Sequence, residues 1–262
     1  YFNAGLNSTV LEGAQLSGGS RAIELGLITH KGTLSLARKM LFVASFVTAI
    51  LLYNSFLNTG ELSNSLNALI LGLIGGLLGY FYTARPIRLV SRNGLGEVAI
   101  FLAFGPVLTL GALFAISSTT IELYSQEFFN AIYLGIPFGL LTTNILYINQ
   151  YPDTVSDAST GKNHLIVTLG KKNARWGYLL ILLAAFASSI YLTEILAENL
   201  LNFNKSIFYA GNGLLFIYGL LAFLNLYKNY NSRDLVFSNL KTIYLQIFYG
   251  LFMIIALNLF FI

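Results

Sequence analysis

Asn149, Asp153 and Asp157 stand four residues apart in the stretch 148–170, INQYPDTVSDASTGKNHLIVTLG. Residues four apart share one face of a helix, so a helix running through this stretch would align all three. Two carboxylates one turn apart repel each other by about a few tenths of a kcal/mol. A hard cation such as Mg²⁺ relieves that repulsion, because it takes oxygen ligands and is commonly held by one or two carboxylates together with substrate phosphates. Lys162 follows, a compact point charge suited to phosphate. Pro152 would remove one backbone hydrogen bond and kink such a helix. The same residues also fit a solvated helix end whose charges pair with one another.

Two further loops carry related chemistry. Stretch 82–97, YTARPIRLVSRNGLGE, places Arg85, Arg88 and Arg92 at spacings of three and four, with Gly94 and Gly96 behind them. Arginine forks bind anions through fixed N–H donors, although topology alone also concentrates bases in membrane loops. SGGSR at 17–21 adds Gly18, Gly19 and Arg21, a run whose backbone N–H groups can wrap a phosphate. His30 and His164 are the only histidines; both are expected at the membrane interface, without forming a metal site together. No catalytic Ser/His/Asp arrangement or nucleotide-binding glycine fingerprint stands out. No nucleic-acid partner is expected, because the bases are spread over loops and topology explains them.

The elements that must position these loops are membrane helices. Only 10% of the 262 residues are charged and 56% are hydrophobic, with a mean hydropathy of +0.70; a soluble domain typically carries about 25% charged residues. That leaves too few charges to coat a water-facing surface, so most of the exterior must meet the lipid bilayer. A spanning helix needs about 20 mostly apolar residues. That ruler predicts seven spans at 40–56, 66–83, 98–117, 128–150, 176–196, 207–226 and 241–262. Gly72, Gly75, Gly76, Gly79, Gly105 and Gly111 fall inside them and are expected to serve helix packing. Basic loops at 21–39, 84–97, 151–175 and 227–241 alternate with acidic ones, placing fourteen of the fifteen Lys and Arg residues on one face. By the positive-inside rule that face is cytoplasmic. Cysteine is absent, which excludes disulfides and thiolate metal sites. The chain opens at Tyr1 without a charged region and apolar run of the kind that marks a signal peptide, and further sequence is expected before it.

Stretch 148–170 closely resembles the second aspartate-rich motif of the UbiA superfamily of intramembrane prenyltransferases, most of all its 1,4-dihydroxy-2-naphthoate branch of menaquinone and phylloquinone biosynthesis. The same resemblance extends through 82–97, FGPVLTLG at 104–111, GIPFGLLTTNIL at 135–146 and SGGSRAIELGLIT at 17–29. It covers nearly the whole chain in order. The resemblance implies an all-α bundle of nine helices around a central cavity open to lipid; residues 1–262 would then form one such domain lacking its N-terminal helices. It also implies that Mg²⁺ bridges the diphosphate of a polyprenyl donor to aspartate-rich motifs, and that an electron-rich aromatic ring attacks the allylic cation left when diphosphate departs. Carried onto this sequence, Asp153 and Asp157 would be the catalytic metal ligands with Asn149 beside them. Lys162, Arg21, Arg85 and Arg88 would bind the diphosphate.

One departure from the family pattern divides the functional readings. Where the first motif has carboxylates, YFNAGLNSTVLEGAQLSGGSR at 1–21 has Asn3, Asn7 and Gln15, with Glu12 its only acid. Asparagine offers a metal a carbonyl oxygen but no charge. The leading expectation is an Mg-dependent transferase of polyprenyl diphosphate to an acceptor such as 1,4-dihydroxy-2-naphthoate. The other is a catalytically impaired homologue that binds quinone, lipid or pigment as an accessory subunit of a larger membrane complex.

Overall fold

The computed structural model describes residues 22–23, 26–199 and 203–258, and every regular element among them is helical. In chain order these are α1 (His30–Thr59), α2 (Ser63–Thr83), a short 3-10 turn (Leu89–Ser91), α3 (Leu95–Phe104), α4 (Pro106–Ile116), α5 (Gln126–Ser159), α6 (Leu165–Asn199), α7 (Lys205–Asn229) and α8 (Leu235–Asn258). Taking α3 and α4 as one crossing, seven helical segments are long and apolar enough to span a membrane. The chain is an integral, multi-pass membrane protein. Arg21, Asn3, Asn7, Glu12, Gln15, Gly18 and Gly19 lie outside the described residues.

Boundaries differ from the hydropathy reading where polar residues continue a helix. α1 begins at His30, so Lys31, Arg38 and Lys39 lie on its first turns and not in a loop. α5 passes through Pro137 and Pro152 and ends at Ser159, nine residues beyond the apolar stretch that announced it. The apolar run covers only the part of a helix that meets lipid; backbone hydrogen bonding carries it on into the polar zone.

The crossing expected at 98–117 is broken at Gly105. Proline disfavours helical backbone in the residue before it and suits the first position of a new helix; Gly105 sits at φ −114°, ψ −113°, and Pro106 opens α4. The break lies directly against α5. A Cβ on Gly139 would meet the Phe101 carbonyl oxygen at 2.5 Å and Gly105 Cα at 3.0 Å, and one on Gly135 would meet the Gly105 carbonyl carbon at 2.7 Å. Gly105 therefore packs as expected. Gly72, Gly76 and Gly79 on α2 are not in close backbone contact, since a Cβ built on any of them would meet nothing within 4 Å among the described residues.

This crossing yields a direct test. Gly139→Ala should destabilise the folded protein by about 1–3 kcal/mol, because rigid backbone leaves the new methyl no room. Gly72→Ala should leave stability unchanged. Thermal unfolding in a mild detergent compares the two.

The main core is built by α5, α6, α7 and α8, with Tyr147, Tyr151, Tyr178 and Tyr249 among its largest fully buried side chains. Lipid tails provide no hydrophobic force between helices, so close packing and interhelical hydrogen bonds hold them together. Asn144 Nδ2 donates to the Tyr178 carbonyl at 3.2 Å and the Tyr147 hydroxyl to the Ala174 carbonyl at 2.9 Å, joining α5 to α6. The Tyr178 and Thr242 hydroxyls meet at 2.8 Å between α6 and α8. The first two bonds fix the register of α5, the helix that carries the acids.

Candidate functional site

The C-terminus of α5 creates the site through its own capping. Lys162 N donates to the Asp157 carbonyl at 2.9 Å and Gly161 N to the Ala158 carbonyl at 3.1 Å, with Gly161 at φ +73°. This is a Schellman cap, whose left-handed residue favours glycine because a Cβ would be strained there. It turns the chain back on the helix and returns Lys162 to the residue five places earlier. Lys162 Nζ then stands 2.9 Å from Asp157 Oδ1.

Asp153 and Asp157, expected on one face, are both buried on it, with relative exposures of 8% and 6%. Lys162 is buried to the same degree at 7%. Asp157 has a second neighbour that sequence reasoning missed: His164 Nε2 lies 3.3 Å from Asp157 Oδ2. His164 is only 1% exposed, so its side chain belongs to the protein interior. Its position two residues beyond Lys162, past the turn at Gly161, is the signal that a capped helix end would bring it home.

Asn149 is held from a neighbouring helix. It lies on α5 one turn before Asp153, and its side-chain oxygen accepts a hydrogen bond of 2.8 Å from Asn239 of α8. Gln150 lies three residues before Asp153 on the acid-bearing face. It is buried, and both ends of its amide lack a hydrogen-bond partner among the described residues.

The two basic loops meet here. Arg88 Nη2 donates to the Thr160 carbonyl at 3.3 Å, which sets its guanidinium against the capped end of α5. Arg88 holds a left-handed backbone, φ +47°, a conformation that costs a non-glycine residue about 1–3 kcal/mol and concentrates at functional sites. Arg85 is exposed and joins Arg88, Ser91 and Arg92 around a shallow basin of about 530 Å³. Arg92 is used for loop structure, donating to the Ile87 carbonyl at 2.5 Å. Arg21 is outside the described residues, so its place relative to this junction is not part of the fold as described.

α3 closes the other side. Glu97 is 4% exposed, and its Oε1 accepts from Leu165 N, the first amide of α6, at 3.3 Å. The positive end of a helix stabilises a carboxylate placed there. α6 is kinked at Gly170, and Thr168 in its first segment donates to Asn93 at 3.1 Å. Three bonds (Arg88–Thr160, Asn93–Thr168 and Glu97–Leu165) thus clasp the α2–α3 connection to the α5–α6 connection. Glu97 could have been suspected from sequence, since an acid heading an apolar helix needs a partner.

The donor set suits a hard cation, because Asp153 and Asp157 offer carboxylate oxygens and no sulfur. Among the described residues no group of three or more His, Cys, Asp and Glu converges on one point. The pair would supply part of a coordination shell and leave the remainder to phosphate oxygens.

The chain has relatives among known proteins. The UbiA prenyltransferase family matches residues 21–257. The chain is 32% identical over 184 residues to UbiA prenyltransferase domain-containing protein 1 of Dictyostelium discoideum, covering 70% of this chain and 50% of that protein. It is 33% identical over 116 residues to the 1,4-dihydroxy-2-naphthoate octaprenyltransferase of Escherichia coli (strain K12), covering 44% and 34%. It is 29% identical over 118 residues to the chloroplastic 2-carboxy-1,4-naphthoquinone phytyltransferase of Arabidopsis thaliana, covering 44% and 31%. The matches thus span half the length of these relatives or less. No solved structure matches the chain. A family match from end to end of the bundle, over the acids, the cap and the clasped loops alike, makes the chain a member of the UbiA prenyltransferase family.

Proposed function

We propose that the protein transfers a polyprenyl group from a polyprenyl diphosphate to an aromatic acceptor of the 1,4-dihydroxy-2-naphthoate type. The observation that carries this reading is the buried pair of Asp157 and Lys162, with half-buried Arg88 against the same capped helix end, at the basic end of an apolar bundle, and with Asp153 one turn deeper. A long isoprenoid tail needs an apolar host, and a diphosphate needs concentrated positive charge beside it. Two relatives named for naphthoate or naphthoquinone prenylation support the acceptor class. By the positive-inside rule the junction faces the cytoplasm.

Asp153 and Asp157 are the residues that would hold Mg²⁺, with Asn149 beside them; when bound, the ion neutralises charge on the departing diphosphate. The remaining work falls to the chain itself. Lys162 exchanges its bond to Asp157 for one to a phosphate oxygen, and Arg88 and Arg85 supply the cationic rim. Such donors stabilise charge that grows as the leaving group departs. Gln150 lies on the acid face one turn deeper and offers both a donor and an acceptor to the hydroxyls of the acceptor ring. The apolar helices exclude water from the allylic cation.

A second reading is favoured by Asn3, Asn7 and Gln15, which stand where acids are expected. In it the protein binds a quinone, lipid or pigment without turning over, as an accessory subunit of a membrane complex. One experiment separates the two. Protein in lipid nanodiscs is given Mg²⁺, a polyprenyl diphosphate and 1,4-dihydroxy-2-naphthoate, and products are read by mass spectrometry. Prenylated naphthoate is expected; its absence, with a quinone co-purifying independently of Mg²⁺, overturns the transferase reading.

A further inference from the structure

Away from this junction, a pocket of about 190 Å³ opens between α5, α6 and the α7–α8 connection, lined among others by Pro152, Lys171, Tyr230, Asn231, Ser232 and Arg233. Its two cations are uncommitted: neither Lys171 nor Arg233 has an ion pair among the described residues. Asp234, next to Arg233, is exposed and does not line the pocket. Ser232 is already engaged, accepting from Asp234 N at 3.3 Å.

The pocket's wall is rigid for an identifiable reason. Arg175, one helical turn after Lys171 on α6, is buried and donates to the Lys172 carbonyl at 2.8 Å and the Tyr227 carbonyl at 2.7 Å. Its guanidinium carbon also lies 4.1 Å and 4.6 Å from the ring centres of Tyr227 and Tyr230. Cation–π contact and the hydrogen bond to Tyr227 thus hold the end of α7 against α6. That fixes Tyr230, and with it the start of the segment bearing Arg233, beside Lys171. The N-terminal end of α8 adds partial positive charge to the same rim. Lys171 also stands within electrostatic reach of Asp153, so the pocket borders the acid-bearing helix.

Two unpaired cations on a braced, concave frame too small for an isoprenoid tail point to a compact anion. We propose that this pocket binds a phosphate group through Lys171 and Arg233, as a site separate from the junction of Asp157, Lys162 and Arg88. The phosphate comes either from a free ion such as diphosphate or from the headgroup of an anionic lipid. The proposal does not depend on the transferase reading, since a non-catalytic homologue would bind the anion equally.

The test uses the whole chain in nanodiscs, in a Lys162→Met, Asp157→Asn background that weakens the other candidate phosphate site without stranding a buried charge. One arm titrates inorganic diphosphate, free of divalent cations, into phosphatidylcholine nanodiscs and follows binding by calorimetry. The other measures retention of phosphatidylglycerol by native mass spectrometry. Lys171→Gln with Arg233→Gln should weaken one of these by about tenfold or more, the scale of losing charged hydrogen bonds. Loss in the first arm assigns a free ion, and loss in the second assigns a lipid headgroup. The charge-matched Lys39→Gln with Lys228→Gln should change neither, and Lys171→Arg with Arg233→Lys should retain binding. If the glutamine variant binds both probes like its parent, if the charge-matched control loses as much, or if the charge-preserving swap fails alongside it, the proposal is overturned.

Discussion

Asp153→Asn should lower the rate of prenyl transfer by about 10²- to 10³-fold, the loss typical when one preorganised electrostatic group is removed from a reacting centre. The substitution keeps the shape of the side chain and removes its charge; the amide still offers an oxygen, but nothing that offsets a divalent cation. Asp153 is buried, so no bulk water stands ready to replace it. With one of only two acids on this face lost, the remaining carboxylate, Asp157, is already shared with Lys162 and His164. The fall should appear in the catalytic rate at saturating donor, and raising the Mg²⁺ concentration should recover part of it. Rates within about threefold of the parent protein, a difference too small for a lost transition-state contact, would remove Asp153 from the chemistry.

Lys162→Met should act on both stability and activity, and the two effects can be separated. In the folded protein the substitution leaves Asp157 buried with only His164 as an ion-pair neighbour among the described residues. Breaking a buried pair by removing one partner costs about 3–5 kcal/mol, because the other charge stays desolvated and uncompensated. Activity should fall by about 10- to 100-fold in addition, since a hydrogen bond to a charged group contributes roughly 1.5–3 kcal/mol. The double variant Lys162→Met with Asp157→Asn neutralises the stranded charge. It should regain most of the lost thermal stability while remaining inactive, a coupling that a double-mutant cycle measures directly. Recovery of activity along with stability would mean that Lys162 serves the fold alone.

Several features of the site were legible because they depend on neighbours in the chain. The alternation of apolar spans with basic and acidic loops is a local pattern, and all seven spans appear in the structure. The spacing of Asp153 and Asp157 implied one helical face only if α5 continued past Pro152, and it does. Gly161 followed by Lys162 is a helix-stop signal, and a chain that reverses at such a glycine brings the next residue back toward the last turn, where Asp157 lies.

The partners of those residues were a different matter. Nothing near Glu97 in sequence says that its carboxylate meets the first amide of α6, sixty-eight residues later. His164 follows a polar loop, yet its side chain is buried against Asp157. The glycines of α2 suggested packing by their number, whereas Gly105, Gly135 and Gly139 are the ones pressed against backbone. Each outcome turns on which helices become neighbours. In a bilayer that choice rests on shape and interhelical hydrogen bonds, which residue order does not display.

Taken alone, the amino-acid order determined the membrane crossings, their sidedness relative to one another and the helix face bearing the acids. Hydropathy and helical spacing are properties of single segments, and the bilayer acts on them one segment at a time. Only the tertiary structure decided that Lys162, His164 and Arg88 converge on the end of α5, and that Arg175 braces a second cationic pocket bordering that helix. Buried charges are stable only beside partners drawn from other helices, and packing alone assigns those partners.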